Sequence, residues 1–411
     1  MPKYNSYTIN KCQISGSKNL KSILNLGYLP PVNLARPINK KIKEELFFPT
    51  EMLYCPVSKL YQLSYIVDKK ILFPKSYPYT SSTTKILREN FSQLSKECMK
   101  KNIIKKNDLI IDIGSNDGNL LSYFKNFCKV QGITPENIGK QAIKKGIPTI
   151  LGYFDDKNAK YISKKIGRAK IITATNVFAH IDNTNSLMKN IKKCLLADGV
   201  FIIEIHYFLD LIKTIQYDTI YHEHMRYYTL ESLEYILNRH GFKIFDAKRI
   251  KTHGGSLRVY ASVSKKYKIL PSINKIKILE KKYLNKKKIE IFKKKVLNSK
   301  YALIELIKKI KNQNKKIFAI GAPSRASTLI NFIGIDHNMI DYVLEVNGSS
   351  KINNFMPGTN IPIVSEDLIK KNKPDYLLIL SWHIYPAIIA TFRNMGFKGR
   401  FIIPLPKPRI V

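Results

Sequence analysis

Short apolar runs alternate with amphipathic segments through the middle of the chain. Uninterrupted apolar runs of five to eight residues are typical of parallel strands, because such strands are buried on both faces. The predicted strands are 108–114, 130–135, 148–150, 170–177 and 199–205, and the predicted helices are 85–102, 136–145, 184–197 and 229–240. This alternation predicts an α/β fold built on a mainly parallel sheet.

The two ends of the chain follow other patterns. Residues 1–90 are strand-like and interrupted by turn signals. Residues 264–312 place apolar residues at helical spacing on a lysine-rich background, and residues 315–411 return to strand–loop–helix order. We therefore predict three units, namely a small N-terminal module (1–84), a central α/β domain (85–265), and a helical linker with a Rossmann-like domain (266–411).

Composition narrows the class of protein. Hydrophobic residues make up 44% of 411 residues, which is ordinary for a globular chain. There is no apolar run near 18 residues and no apolar leader, so we expect neither a membrane partner nor secretion. The five cysteines are scattered, which fits a reducing cytoplasm.

The net charge of +40 raises the question of nucleic-acid binding. The excess is mostly lysine, is spread along the chain and is not interleaved with aromatic residues, so we expect no nucleic-acid partner. The positive electrostatic field of such a chain would attract an anionic substrate such as a nucleotide diphosphate.

Two short segments of the N-terminal module have matching form. Cys12 and Ser15 repeat the spacing of Cys55 and Ser58, as in paired Cys-x-x-Cys zinc knuckles whose second thiol has become a hydroxyl. Serine is a poor zinc ligand, so bound zinc is doubtful and no metal ligands are assigned.

The first central strand leads into a glycine-containing turn. The turn SNDGN connects it to a helix, and Gly114 and Gly118 are four residues apart, unlike a dinucleotide fingerprint. Asp112 at the strand end and Asp117 in the turn favour a cationic ligand, such as S-adenosylmethionine, over a pyrophosphate. The alternative is a simple strand–helix turn.

The stretch 217–228, YDTIYHEHMRYY, concentrates chemistry. Tyr221, His222, Glu223 and His224 place a phenol, two imidazoles and a carboxylate at consecutive positions, which indicates a site of proton transfer. The alternative is a polar surface turn. Farther on, the run His253-Gly254-Gly255 indicates either backbone close to a ligand or a hairpin.

Five separated stretches together resemble the sugar C-methyltransferases, which act on nucleotide-linked 4-keto-deoxysugars. They are DIGSNDGNLL (112–121), NVFAHIDN (176–183), DTIYHEHMRYYTL (218–230), HGGSLRV (253–259) and PGTNIPI (357–363). The resemblance covers nearly the whole chain. It implies a zinc-module-like N-terminus, a central class I methyltransferase domain and a C-terminal Rossmann-like domain. It also implies S-adenosylmethionine as cofactor and a nucleotide-linked keto-sugar as substrate.

The resemblance also assigns roles to individual residues. His224 would be the base, with Tyr221 and Glu223 beside it, His180 near the cofactor and sugar, and Tyr79 reaching in from the N-terminal module. The residues expected to contact the cofactor are Asp112, Gly114, Asn116, Asp117, Gly118, Asn176 and Phe178. Thr134 stands where an acidic residue usually holds the ribose, and Glu136 follows two residues later.

Two other functions remain open. An O- or N-methyltransferase would use the same cofactor site and would need a base only for a hydroxyl, or none. A degenerate, non-catalytic homologue is suggested by the lost knuckle cysteines. The four residues 221–224 (the YHEH cluster) and the glycine turn argue against it.

Overall fold

The computed structural model describes residues 4–40, 45–73, 82 and 84–411. The predicted site residue Tyr79 lies outside these ranges. The first part of the chain forms short strands and one helical turn: β1 (Tyr7–Thr8), β2 (Lys21–Leu29), β3 (Arg36–Pro37), β4 (Phe48–Cys55), β5 (Leu60–Leu63), β6 (Tyr65–Ile66) and α1 (Lys69–Leu72). β2, β4 and β5 pair antiparallel, and β1 pairs with β6.

The central domain alternates strands and helices. Its elements are α2 (Lys85–Lys100), β7 (Leu109–Ile113), α3 (Asn119–Ser122), β8 (Lys129–Thr134), α4 (Gly139–Lys144), β9 (Thr149–Leu151), α5 (Asp156–Tyr161), β10 (Ala169–Thr175), α6 (Thr184–Cys194), β11 (Leu195–His206), α7 (Phe208–Thr214), β12 (Arg226–Tyr227), α8 (Leu230–Arg239), β13 (Lys243–Ile250) and β14 (Ser256–Ser262). Single 3₁₀ turns lie at Phe178–His180, Tyr217–Thr219 and Thr252–Gly254.

Seven of these strands form one sheet in the order β13-β14-β11-β10-β7-β8-β9. β14 runs antiparallel to both of its neighbours, and the remaining neighbours are parallel. This is the strand order of class I methyltransferases, so the predicted fold class is confirmed. β7 is buried at every position, as expected for a strand covered on both faces.

The predicted strands and helices of this domain are present, with small shifts at their ends. The helix predicted over 184–197 ends at Cys194, because Leu195 already pairs with Ala169 in the sheet. The helix predicted over 136–145 begins at Gly139.

The last part of the chain builds a second α/β domain. Its elements are α9 (Pro271–Tyr283), α10 (Lys286–Lys311), β15 (Ile317–Ile320), α11 (Ser324–Ile333), β16 (Val343–Glu345), β17 (Asn354–Phe355), β18 (Pro362–Ser365), α12 (Leu368–Lys371), β19 (Tyr376–Ile379), α13 (Tyr385–Asn394), β20 (Arg400–Ile403) and β21 (Arg409–Ile410). β20, β19, β15, β16 and β18 are successive parallel neighbours in its sheet. Among the described residues, no helix has both the length and the apolar character needed to cross a membrane.

The N-terminal module shares strands with both of the other units. β3 adds to the edge of the C-terminal sheet by pairing with β17. β12 belongs to the stretch 217–228, called the YHEH stretch below, and it adds to the N-terminal sheet by pairing with β5. The YHEH stretch is therefore held where the three parts of the chain meet.

Candidate functional site

A cavity of about 970 Å³ lies at the carboxyl ends of the central strands. β8 and β9 extend to one side of β7, and β10 and β11 extend to the other, so a crevice forms at the point where the strand order reverses. All three parts of the chain line it. Lys69 and Phe73 come from the N-terminal module, and Pro323, Ser324, Arg325, Lys351 and His383 come from the C-terminal domain.

The turn after β7 brings backbone close to one end of the cavity. Gly114 has φ +73°, and a Cβ there would lie 2.8 Å from a methyl group of Val177. A side chain would be both strained and blocked at this position, so glycine keeps the wall of the cavity open.

Asp112 supplies a buried carboxyl group next to this turn. Its Oδ1 accepts a hydrogen bond from the Thr173 hydroxyl at 2.6 Å. Burial raises the pKa of Asp112 to about 7, against the effect of this hydrogen bond and with a further increase from nearby Glu204. A cationic ligand would hold this carboxyl in its charged form.

A second carboxylate lies at the end of β8. Glu136 lines the cavity, and the hydroxyl of Thr134 donates a hydrogen bond to it. Position 134 thus lacks an acidic group, and Glu136 supplies one two residues later, where it accepts the hydrogen bond from Thr134. The crevice thus offers exposed backbone at Gly114 and two carboxyl groups. These features fit a ligand that carries positive charge and hydroxyl groups, as S-adenosylmethionine does.

The predicted cofactor residues divide into two groups. Asp112, Gly114, Asn116 and Asn176 line the cavity. Asp117, Gly118 and Phe178 do not line it, and their contact with the cofactor stays a prediction.

Asp117, Gly118 and Phe178 each have another role in the structure. The Asp117 carboxylate pairs with Lys145 at 3.2 Å, and Gly118 adopts φ +77° as the N-cap of α3. Phe178 lies in the core, where its ring centroid is 5.3 Å from that of Tyr228. The ring is apolar, so its burial in the core is more favourable than its exposure in the crevice.

The ring of His224 is oriented by a backbone contact. Its Nδ1 lies 2.9 Å from the carbonyl oxygen of Thr219. A carbonyl can only accept, so Nδ1 carries the hydrogen and Nε2 keeps its lone pair. Burial, assisted by nearby His180, holds the pKa of His224 well below its usual value, so the ring is a neutral acceptor at neutral pH.

His180 lies beside His224, with ring centroids 5.1 Å apart. Fully buried Arg226 fixes this approach, because its two terminal nitrogens donate to the carbonyls of Ile181 and Asp182 at 2.6 and 2.7 Å. Burial lowers the pKa of His180 to about 4, so this ring is also neutral.

Tyr221 and Glu223 complete the group around His224. The Tyr221 ring centroid is 4.2 Å from that of His224. Burial, and then the charge of Glu223, raise the pKa of Tyr221 well above 10, so its phenol keeps its proton. Tyr221, Glu223, His224 and His180 all line the cavity, as predicted for neighbouring residues.

Glu223 is connected to both other parts of the chain through Asn33. The Asn33 amide nitrogen donates to Oε1 of Glu223 at 2.7 Å. The amide oxygen of Asn33 accepts from the Ser324 hydroxyl at 2.9 Å. The sequence analysis assigned no role to Asn33, since nothing in its local pattern marks it.

His222 is buried and does not line the cavity. Its Nε2 donates to the carbonyl of Pro49 at 3.2 Å and lies 3.0 Å from the Thr50 hydroxyl. This member of the cluster therefore attaches the YHEH stretch to β4.

The C-terminal domain contributes residues that the sequence analysis did not assign. Arg325, at the start of α11, binds the Asp218 carboxylate, whose Oδ2 also accepts from the Trp382 indole at 2.7 Å. The run APSR (322–325) directly follows the turn after β15. Its place at the carboxyl end of a parallel strand was the signal that could have identified it.

The four knuckle positions converge in the N-terminal module. The Cys12 sulfur lies 3.1 Å from the Ser58 hydroxyl, and the Ser15 hydroxyl lies 3.5 Å from the Cys55 sulfur. Burial raises the pKa of Cys55, but hydrogen bonds from Ser15 and Ser58 lower it more, to about 7. Two thiols and two hydroxyls do not make the four-ligand set of a structural zinc site. In the described part of the chain, no three His, Cys, Asp or Glu residues are grouped as metal ligands.

Comparisons with known domain families agree with this layout. Residues 12–73 match a domain described as "Putative zinc binding domain", residues 81–247 match a methyltransferase domain, and residues 251–406 match a C-methyltransferase C-terminal domain. Within the first match this chain has two cysteines, Cys12 and Cys55.

Individual proteins are similar as well. C-methyltransferase NovU of Streptomyces niveus is 27% identical over 98% of this chain and 97% of its own length. An S-adenosylmethionine-dependent methyltransferase structure from Clostridium acetobutylicum is 14% identical, covering 44% of this chain and 94% of that one, with a TM-score of 0.34. Magnesium protoporphyrin IX methyltransferase of Synechocystis, solved with S-adenosylhomocysteine, is 14% identical, covering 43% and 83%, with a TM-score of 0.33.

The class I sheet and the matched domains together show that this chain is a methyltransferase dependent on S-adenosylmethionine, whose last part matches a C-methyltransferase C-terminal domain.

Proposed function

We propose that the protein removes a proton from the carbon next to the ketone of a nucleotide-linked 4-ketosugar and methylates that carbon. The observation that carries this proposal is the state of His224. Its Nδ1 hydrogen is committed to Thr219, and its Nε2 is left as a neutral acceptor in the cavity. Carbon next to a ketone becomes nucleophilic only when a positioned base takes its proton.

The neighbours of His224 match the charges that this step creates. As Nε2 takes the proton, negative charge develops on the ketone oxygen. Neutral Tyr221 can donate a hydrogen bond to that oxygen, and a preorganised donor of this kind stabilises a developing oxyanion. The new imidazolium and the enolate would lie close together in the cavity, so each charge offsets the cost of burying the other.

Cofactor contacts in this proposal come from the turn after β7 and from the end of β8. Asp112 would face the positively charged part of the ligand, Gly114 would let it approach the backbone, and Glu136 would accept from its ribose hydroxyls. Bound S-adenosylmethionine supplies an electrophilic methyl group.

A nucleotide-linked substrate is supported by the charges that the C-terminal domain adds. Lys351 lines the cavity, and its Nζ donates to the carbonyl of Ala322 at 2.5 Å. Arg325 lines the same region. The ammonium group of Lys351 suits the phosphates of a nucleotide, whereas the guanidinium of Arg325 is already paired with Asp218. The chain's net charge of +40 would attract such an anion. The similarity to a C-methyltransferase supports carbon as the acceptor.

The proposal is tested by incubating the protein with methyl-labelled S-adenosylmethionine and a panel of nucleotide 4-ketosugars, then locating the label by NMR. We expect the label on a ring carbon next to the ketone. In deuterium oxide without cofactor, the same carbon should exchange its hydrogen. Label on oxygen or nitrogen without exchange would instead establish an O- or N-methyltransferase. A protein that fails to bind S-adenosylmethionine in calorimetry would be a degenerate homologue.

A further inference from the structure

The cavity wall contains a strained histidine that the proton-transfer step does not use. His253 lies in the 3₁₀ turn between β13 and β14 with φ 54° and ψ 26°. This left-handed conformation is uncommon for a residue with a Cβ, although histidine adopts it more often than most such residues. Strain of this kind persists where the surrounding structure imposes it, and it is concentrated at functional sites.

Contacts on both sides hold this turn in place. The Gln216 amide donates to the carbonyl of Gly254 at 2.7 Å. Gly255 has φ +127°, and a Cβ there would lie 2.6 Å from Asp210. Asp210 is in turn bound by Arg249. The backbone is therefore fixed by its neighbours, and no side-chain contact of His253 is needed to explain its conformation.

The imidazole of His253 lines the cavity, and its Nε2 is shielded from solvent. Within the described ranges this nitrogen has no hydrogen-bond partner. Nε2 of His206, which also lines the cavity, is in the same state. A buried polar atom without a partner costs stability, so two in one cavity wall point to a partner supplied by a ligand.

The surroundings indicate what kind of ligand group this is. Burial, and then nearby Arg325, lower the pKa of His253 to about 4, so its ring is neutral at neutral pH. A neutral imidazole would not compete with Arg325 and Lys351 for a phosphate. A hydroxyl group can donate to or accept from Nε2, and so it pairs with either tautomer.

We propose that His253 is a substrate-binding residue whose Nε2 forms a hydrogen bond with a ring hydroxyl of the sugar, with His206 as a second contact in the same wall. This inference rests on the proposed function, because it assumes that a sugar occupies this part of the cavity. It assigns specificity for the sugar to the HGG turn, separately from the base His224.

The test uses His253→Gly, which removes the imidazole and also relieves the left-handed strain. We expect an unfolding midpoint equal to or above that of the wild type, an unchanged Kd for S-adenosylmethionine, and a KM for the nucleotide ketosugar raised by about tenfold to a hundredfold. His253→Asn, which tolerates the same backbone but is shorter, should show the same KM increase. His240→Gln is the matched control, since His240 pairs with Asn185 away from the cavity, and its KM should not change.

Two results would overturn the assignment of His253. One is a wild-type KM in His253→Gly. The other is a marked loss of thermal stability in that variant, because it would make the histidine a structural residue. If the wild type itself methylates no ketosugar of the panel, the proposed function fails and the inference fails with it.

Discussion

The guanidinium of Arg325 binds both carboxylate oxygens of Asp218, at 2.7 and 2.8 Å, with both side chains buried. Asp218 lies three residues before Tyr221, and Arg325 belongs to the first turn of α11. This ion pair joins the C-terminal domain to the stretch that carries the proposed base, His224. It gives that domain a definite role in positioning the stretch.

Breaking this pair should cost both stability and turnover. Arg325→Met leaves a buried carboxylate without its partner, which typically costs about 3–5 kcal/mol in the free energy of unfolding. Turnover should fall because Thr219 and His224 follow directly in the released segment. Urea unfolding and steady-state kinetics measure the two effects.

The control for this variant is Lys370→Met, which breaks the exposed pair with Asp367 and should change neither quantity measurably. In the double variant Asp218→Asn/Arg325→Met, part of the lost stability should return, because the stranded charge is gone. A single Arg325→Met variant as stable as the wild type would contradict the assigned role.

His224→Asn should abolish catalysis selectively. An amide cannot take the proton from carbon, so we expect turnover to fall by about 10²–10⁴, together with loss of deuterium exchange at the sugar carbon. Calorimetry should give an unchanged affinity for S-adenosylmethionine, since the proposed cofactor contacts are made by other residues.

His222→Asn provides the contrast two residues away. His222 contacts Pro49 and Thr50 and does not line the cavity, so this variant should lower the unfolding midpoint and retain most of the turnover at a temperature where it is folded. Equal loss of turnover in both variants would argue against His224 as the base.

Cofactor binding should depend on pH through Asp112. The pKa of this carboxyl is raised to about 7, so its charged form, which favours a cation, grows as pH increases through neutrality. We expect the affinity for S-adenosylmethionine to rise by at most about tenfold per unit between about pH 6 and pH 8. Calorimetric titration at several pH values checks this, and Asp112→Asn should remove the dependence.

The stability of the free protein should change in the opposite direction. Between about pH 4 and pH 7 the folded carboxyl of Asp112 retains a proton that the unfolded chain has lost, so its contribution to stability decreases as pH rises. Thermal unfolding of the wild type and of Asp112→Asn, compared across this range, isolates that contribution.

The N-terminal cluster should become a zinc site with two substitutions. Ser15→Cys/Ser58→Cys completes four thiols at positions 12, 15, 55 and 58, with the spacing of paired knuckles. We expect about one zinc ion per chain by elemental analysis and an unfolding midpoint that a chelator lowers. Ser15→Ala/Ser58→Ala is the matched control without added thiols. Stoichiometric zinc in the wild type would contradict the view that its two thiols are too few.

Much of the central sheet could be predicted from the sequence, because its signals are local. β7 and β10 are covered on both faces and therefore appear as continuous apolar runs. Gly114 was the local signal for the turn after β7. Four consecutive functional side chains were the signal for the YHEH cluster. The strand-end position of Phe178 does not tell whether its ring faces the crevice or the core, and the structure buries it against Tyr228.

The sequence by itself determined the class of fold and the residues able to move a proton. Only the tertiary structure decided which of them act together. Asn33 and Glu223 are 190 positions apart, and Asp218 and Arg325 are 107 positions apart. β3 and β12 each complete a sheet that belongs mainly to another part of the chain. Contacts of this kind depend on how finished surfaces fit together, whereas periodicity and turn chemistry record only the preferences of neighbouring residues.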